Sequence, residues 1–415
     1  LNKIIHPSTY SGRIQAPPSK SCLQRAIAIA AMANHTIEIV GYAPSKDVDA
    51  AIAIAKNIGA EITIHYQKIL IKGNFNVAKF SKIHCGESGL SARMFAPLVA
   101  LKEEKIIISG EGTLLTRSMN MVIEALQQLG KSVKSNNVLL PLEISGKLIP
   151  QKIKVDASES SQLLTGLLIA LPFANSNSEI EVSQLNSLPY IQVTLDILEQ
   201  FGINIKHTNY RHFFIEGNQK VQTNNFVVEG DWSGVAFHFV AAAIAGNIMI
   251  EGINKNSSQA DRAILEALEK AGAKFNWVRD NTIIVESEKL YAFEFDATHC
   301  PDLFPPLAAL AANCKGISKI KGIHRLLHKE SNRALSIQSE LQKLGIKVEL
   351  NNNDMLIYGG KISGGVIHSH NDHRIAMMGA VLALNANAPI EIKAAEAIQK
   401  SYPSFFNDFE KCQKF

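Results

Sequence analysis

Five apolar stretches in this chain close on a glycine and run at once into a short β-prone segment: AIAKNIGAEITI, EALQQLGKSV, ILEQFGINI, EALEKAGAKF and ELQKLGIKVEL. Glycine has no Cβ to clash in the left-handed region, so each copy reads as helix, left-handed stop, strand. The glycines, Gly59, Gly130, Gly202, Gly272 and Gly345, stand 71, 72, 70 and 73 residues apart. Single junctions of this kind occur in any α/β protein, but five at so even an interval indicate a structural repeat. One more interval past Gly345 reaches the C-terminus, where FFNDFEKCQKF reads as a sixth helix cut off before its strand. The residue count suggests circular closure, with the N-terminal strand completing the last unit.

Further strands fall inside each period, among them KIIISGEGT, NSEIEVSQL, IMIEGIN and APIEIKAAE. Each unit then holds roughly two helices and three or four strands, which predicts an α/β or α+β class with mixed sheets. A chain of 415 residues, 46% of them hydrophobic, is too long for one compact core. Six units suit two domains of three, and no low-complexity linker marks the boundary.

The formal charge of +4 is small for this length, which argues against nucleic acid or an anionic membrane as partner. Any anion site must be built locally. Cys22, Cys85, Cys300, Cys314 and Cys412 are widely spaced with no C-x-x-C pair, so neither a disulfide framework nor a zinc cluster is expected. A reducing cytoplasm fits. LNKIIHPSTYSGRI has no signal-peptide core, and stretches such as VAFHFVAAAIAG are too short to span a bilayer, so a soluble protein is expected.

Local anion sites are suggested by cations at helix starts. In PPSKSCLQRAIAIAAM, Lys20, Ser21 and Arg25 meet the unpaired N–H groups of a helix N-terminus, an arrangement that serves an anion or equally a plain serine cap. CGESGLSARMFAPLVAL repeats the theme with Gly89 and Arg93; a charge among Met94, Phe95 and Leu98 needs an anionic partner if buried. Arg117 precedes another helix, Ser160, Ser161 and Gln162 precede a third, and Ser187 and Tyr190 a fourth. Hydroxyl and amide groups there suit a polyhydroxylated ligand, although capping and core packing explain SSQ and Tyr190 as well. In the C-terminal half, Asp302 stands where a carboxylate either caps a helix or acts as a base; Lys329, Glu330 and Arg333 follow, then Asp372, His373 and Arg374, then Lys400. His368, His370, Asp372 and His373 invite a metal reading, but their spacing matches none of the usual zinc patterns. Recurrence favours a site: cations at nearly every repeat converge on one anionic ligand set if the helices point inward.

PSKSCLQRA, GESGLSAR, LTRSM, SSQLLTGLL, SLPYIQVTL, CPDLFPPLAALA, HKESNR, NDHRIAM and KSYPSFF occur in the order and approximate spacing of the motifs of the EPSP synthase family of enolpyruvyl transferases, and cover nearly the whole chain. The resemblance implies a two-domain inside-out α/β barrel, each domain made of three βαβαββ repeats with pseudo-threefold symmetry. It implies a discontinuous domain of residues 1–18 with 231–415, an inserted domain of 19–230, and an active site in the interdomain cleft completed by domain closure. By the same likeness, Ser21, Arg25, Ser160, Ser161, Gln162, Ser187, Tyr190, Asp302 and Lys329 hold shikimate 3-phosphate. Lys20, Gly89, Gln162, Arg117, Arg333, Arg374 and Lys400 hold phosphoenolpyruvate, with Arg93 supporting that pocket. Asp302 is implied as base, and Glu330 and Lys20 as proton-transfer groups. No metal or organic cofactor is implied, and a cytoplasmic monomer is expected.

Three positions depart from the family pattern: Pro18 for the usual glycine before S-K-S, Leu90 for the threonine after Gly89, and Asn332 where an aspartate is common. None removes a group implied in catalysis. The sister UDP-N-acetylglucosamine enolpyruvyl transferases share the chemistry, but the S-S-Q and S-x-P-Y matches argue against them. A silent binding protein is disfavoured because Lys20, Asp302 and Glu330 are all present.

Overall fold

The computed structural model describes residues 1–415 except His328, the first residue of HKESNR, which lies outside the described residues. The chain divides into two units, Lys20–Val228 and Leu1–Ser19 with Glu229–Phe415. Ser19 stays with the discontinuous unit because its N–H donates to Glu229 O and its hydroxyl to Gln259 Oε1.

In the inserted unit the helices are α1 (Lys20–Ala30), α2 (Lys46–Asn57), α3 (Gly89–Val99), α4 (Asn120–Gln128), α5 (Gln162–Ala170) and α6 (Leu188–Gln200). The discontinuous unit carries α7 (Trp232–Ala245), α8 (Ile264–Lys270), α9 (Phe304–Ala312), α10 (Arg333–Lys343), α11 (His373–Ala383) and α12 (Phe405–Cys412). Odd and even helices differ in kind. The even ones bury one face, as Phe405, Phe406, Phe409 and Cys412 do on α12. The odd ones are buried nearly all round: every residue of α9 and α11, and all of α3 except Leu90. Within the discontinuous unit α7, α9 and α11 pack on one another, and within the inserted unit α3 packs on α5.

All five repeat glycines adopt a positive φ, from 77° at Gly202 to 105° at Gly59, and they end α2, α4, α6, α8 and α10. Each end closes in the same way. At α10 the Gly345 N–H donates to Gln342 O and the Ile346 N–H to Leu341 O, the paired bonds of a Schellman stop. Beyond each glycine the chain returns as an antiparallel hairpin. In the sheet of Lys82–His84, Ile106–Ser109, Leu139–Ser145 and Ser132–Asn136, the first pair is parallel and the next two antiparallel. The sheets that begin with Lys152–Ala157, Asn225–Val227, Thr9–Gln15 and Glu294–Asp296 follow the same order. The sixth sheet sets Gly365–His368 parallel to Ile390–Lys393, and there the N-terminal strand Lys3–Ile5 pairs antiparallel. After α12 a two-residue strand, Gln413–Lys414, adds to the edge of Thr9–Gln15.

The discontinuous unit buries one polar chain among its aromatic rings. The Tyr10 hydroxyl lies 2.6 Å from His238 Nδ1, Nε2 lies 3.2 Å from the Tyr402 hydroxyl, and that hydroxyl donates to Asp408. Burial pulls the imidazole down from its ordinary 6.5 to about 4, against a weaker upward pull from Asp408. The unfolded chain thus binds the extra proton between these two values, and stability falls as pH drops through that window.

Two outcomes are expected. Gly345→Ala forces a Cβ into a φ of +83°, 3.3 Å from the Ser363 hydroxyl oxygen, so denaturant unfolding should show a loss of roughly 1–2 kcal/mol, chiefly from backbone strain. Between pH 6.5 and 4 protonation of His238 should take about 3 kcal/mol from the unfolding free energy, read as the difference between the parent and His238→Gln. His238→Gln should lose much less over the same range, and an acid profile identical to the parent's would clear His238 of the effect.

Candidate active site

The residues singled out in the sequence gather at helix starts, because the buried odd helices have no polar face elsewhere. In the inserted unit Arg25 lies on α1, fully surrounded. Its Nε donates to Thr194 Oγ1 at 2.9 Å, Nη1 to Ser21 O at 3.0 Å, and Nη2 to Tyr190 O at 3.3 Å and Thr165 Oγ1 at 3.4 Å. Every one of these acceptors is neutral, and burial lowers the guanidinium pKa. Thr165 and Thr194 were not foreseen; a threonine inside an otherwise apolar helix was the only signal for them.

A second group forms around Gly89. Arg93 is 9% exposed, donates from Nη1 to Gln162 Oε1 and from Nη2 to Ser118 O, both at 3.0 Å, and its Nε has no hydrogen-bond partner. Arg117, equally buried, donates to Thr113 Oγ1 at 3.3 Å and also leaves Nε unpartnered. A Cβ on Gly89 would stand 3.1 Å from Nη1 of both arginines. Gln162 reaches this group because α5 presses on α3 at Gly166, where a Cβ would fall 2.7 Å from the carbonyls of Arg93 and Met94. Arg93 is buried as that reading supposed, and its hydrogen bonds are to neutral oxygens, so none of them supplies the anionic partner that such a charge needs. Burial and then the like charge of Arg117 lower its pKa to about 10, with Glu159 a weaker opposing influence. Two guanidiniums with spare donors around a glycine make a receptor for a ligand anion.

The other predicted residues of this unit are placed as follows. Lys20 opens α1 and pairs with the buried Asp47 at 2.7 Å, a partner with no local signal in the sequence. Ser160 Oγ accepts from the Gln162 N–H at 3.2 Å, and Ser161 is buried at the α5 start without a side-chain cap bond. Ser187 holds φ at +62°, a left-handed conformation unfavourable for serine, directly before α6. Tyr190 is half-buried in the first turn of that helix.

In the discontinuous unit the charges are balanced instead. Arg333, fully buried at the start of α10, contacts Asp302 at 2.8 Å, Glu330 at 2.7 Å and Asp372 at 2.8 Å. Asp302 also receives Lys329 at 3.2 Å and Arg374 at 3.1 Å. Burial would raise the Asp302 carboxyl, but Arg374, Lys329 and Arg333 together hold it well below the usual carboxylate range. Burial lowers Lys329, while Arg333 is raised because its carboxylates outweigh burial. Lys400 is buried at the end of the turn Ala395–Lys400. Of the candidate metal ligands, His370 Nε2 lies 2.6 Å from Glu340 and Asp372 is engaged by Arg333. Among the described residues no group of three or more histidine, cysteine or acidic side chains is placed to hold a metal ion.

The two units should respond oppositely to loss of charge. Arg93→Met should leave the ligand-free protein at least as stable as the parent in thermal unfolding. Arg333→Met takes a shared guanidinium from Asp302, Glu330 and the fully buried Asp372, with Asp302 keeping Lys329 and Arg374, and should cost roughly 3–5 kcal/mol.

The model for EPSP synthase (3-phosphoshikimate 1-carboxyvinyltransferase) matches residues 4–409. A 3-phosphoshikimate 1-carboxyvinyltransferase of Clostridium novyi is 36% identical over 421 residues, covering 99% of this chain and 96% of that protein. One of Methanocella arvoryzae is 35% identical over 413 residues, covering 98% and 97%. A solved EPSP synthase from Acinetobacter baumannii shares the fold, with a TM-score of 0.85 at 24% identity over 99% of this chain and 98% of that one. With the family's match running through both units and every group described above, the chain belongs to the EPSP synthase family.

Proposed function

We propose that this chain transfers the enolpyruvyl group of phosphoenolpyruvate to the 5-hydroxyl of shikimate 3-phosphate, releasing phosphate. The carrying observation is the pair of buried guanidiniums around Gly89, whose spare donors call for an anion that the chain's own hydrogen bonds do not supply. The family membership names the chemistry that such an anion enters. Phosphoenolpyruvate takes Arg117, Gly89, Gln162, Lys20, Arg333, Arg374 and Lys400. Arg93 joins this set on the strength of its place beside Gly89 and its bond to Gln162. Shikimate 3-phosphate takes Ser21, Arg25, Ser160, Ser161, Gln162, Ser187, Tyr190, Asp302 and Lys329.

The reaction is addition followed by elimination. The 5-hydroxyl attacks C2 of phosphoenolpyruvate as C3 gains a proton, and the tetrahedral ketal then loses a proton from C3 and expels phosphate. Asp302 accepts the hydroxyl proton; three surrounding cations keep it ionised and ready at neutral pH. Glu330 and Lys20 are the candidates for moving the proton at C3. The arginines offset charge that gathers on the departing phosphate. Neither role calls for a metal or organic cofactor. The one strand order recurring through the sheets supports three βαβαββ repeats per unit in an inside-out barrel with pseudo-threefold symmetry. Five free, buried cysteines support a reducing, cytoplasmic setting, and no helix among the described residues is long and apolar enough to cross a membrane.

Phosphate release from phosphoenolpyruvate is expected on adding shikimate 3-phosphate and not on adding UDP-N-acetylglucosamine. Asp302→Asn should lower kcat by roughly a hundredfold to ten-thousandfold, the usual weight of one general base. Release driven by the nucleotide sugar would move the chain to the sister activity. No release with either acceptor, in folded protein, would leave an anion-binding protein.

A further inference from the structure

Asp261 is a buried carboxylate that the reaction above does not use. It lies in the turn Ala260–Ala263 before α8, is 4% exposed, and its Oδ1 has no hydrogen-bond partner. Its other contact is informative. The Ser233 hydroxyl accepts a hydrogen bond from Arg374 Nη2, which leaves the hydroxyl's single proton to be donated onward, and Asp261 is hydrogen-bonded to that same side chain. Arg374 therefore stands between two carboxylates: Asp302 at 3.1 Å directly, and Asp261 through Ser233. Its Nη1 contacts His373 Nε2, and its Nε has no hydrogen-bond partner.

We propose that Asp261 is a positioning residue for Arg374, setting through the Ser233 hydroxyl how firmly the guanidinium is committed to the protein rather than to an anionic substrate. The inference rests on the reading of Arg374 as a phosphoenolpyruvate ligand. Around Asp261 the charged and titratable groups are Asp302, Arg374, Asp231 and the Cys300 thiol. Burial and then the charge on Asp302 push the Asp261 carboxyl up to about 7, while Arg374 and the Ser233 bond pull it back. The two carboxylates share one guanidinium, and Asp302 keeps the negative charge. Below neutrality Asp261 carries its proton and Arg374 answers to Asp302 alone. Above neutrality the proton leaves, a second negative charge draws on the guanidinium, and an incoming anion meets repulsion. Affinity for phosphoenolpyruvate should therefore fall as pH rises through about 7.

The test compares the parent with Asp261→Asn, which keeps an oxygen for the Ser233 hydroxyl and loses the titration. The parent-to-variant ratio of KM for phosphoenolpyruvate should rise roughly tenfold from pH 6 to 8.5, the size expected of one nearby buried charge, with the kcat ratio changing less. The substrate's own phosphate titration is common to both proteins and cancels in the ratio. If Asp261→Asn does not fold, Ser233→Ala cuts the same link and should give a ratio that also rises with pH. A flat ratio in an active parent would overturn this inference alone. A parent that releases no phosphate at any pH would overturn the functional reading and this inference with it.

Discussion

A helix buried along its whole length can do polar chemistry only at its ends, and that constraint organises both units. The odd-numbered helices, α3, α9 and α11 above all, are almost wholly inside. Their first turns carry N–H groups outside the intrahelical ladder, some of them taken by Ser88, Ser160, Asp231 and Asp372, and the positive end of the helix dipole. Several family-pattern residues stand at or next to such starts, Lys20 on α1, Gly89 on α3, Gln162 on α5, Asp302 before α9 and Arg374 on α11, while Ser187, Tyr190 and Arg333 stand at the starts of the even helices α6 and α10. The even-numbered helices make this possible by stopping on a left-handed glycine and folding back as hairpins that cover the outside.

Electrostatically the units are unlike. In the inserted unit Arg25, Arg93 and Arg117 are buried with hydrogen bonds to neutral acceptors, and at Arg25 and Arg93 burial outweighs what neighbouring groups return. In the discontinuous unit Arg333, Arg374 and Lys329 are interlocked with Asp302, Glu330 and Asp372. The first arrangement favours capture of charge, since breaking no ion pair is needed. The second favours fixed geometry around a carboxylate, because Arg333 is held by three carboxylates and Asp302 by three cations. Strain at Ser187 and crowding at Gly89 both fall at helix starts that carry family-pattern residues.

The repeat, the left-handed stops and the helix starts were legible in the sequence because each depends on local chemistry. Glycine spacing needs no tertiary knowledge, and the glycines at 59, 130, 202, 272 and 345 all take a positive φ. The pairing of Lys3–Ile5 with Ile390–Lys393 was also within reach, since it follows from counting repeat intervals. Asp47, Thr194 and Asp261 were not. Each acts through a neighbour far away in the chain; Asp47 and Asp261 sit in segments that read as an ordinary first turn and turn, and Thr194 in the body of an ordinary helix.

The sequence by itself determined where helices stop, which of them could be buried, and which residues form the family's pattern, for these rest on backbone sterics, apolar periodicity and ordered motifs. Only the tertiary structure decided which charges are compensated. Arg93 and Arg333 look alike in sequence, each an arginine within the first two turns of a helix, yet one meets the amide of Gln162 and the other three carboxylates. The physical reason is range: a charge is felt over the several ångströms that packing brings together, and packing joins residues that the chain keeps far apart.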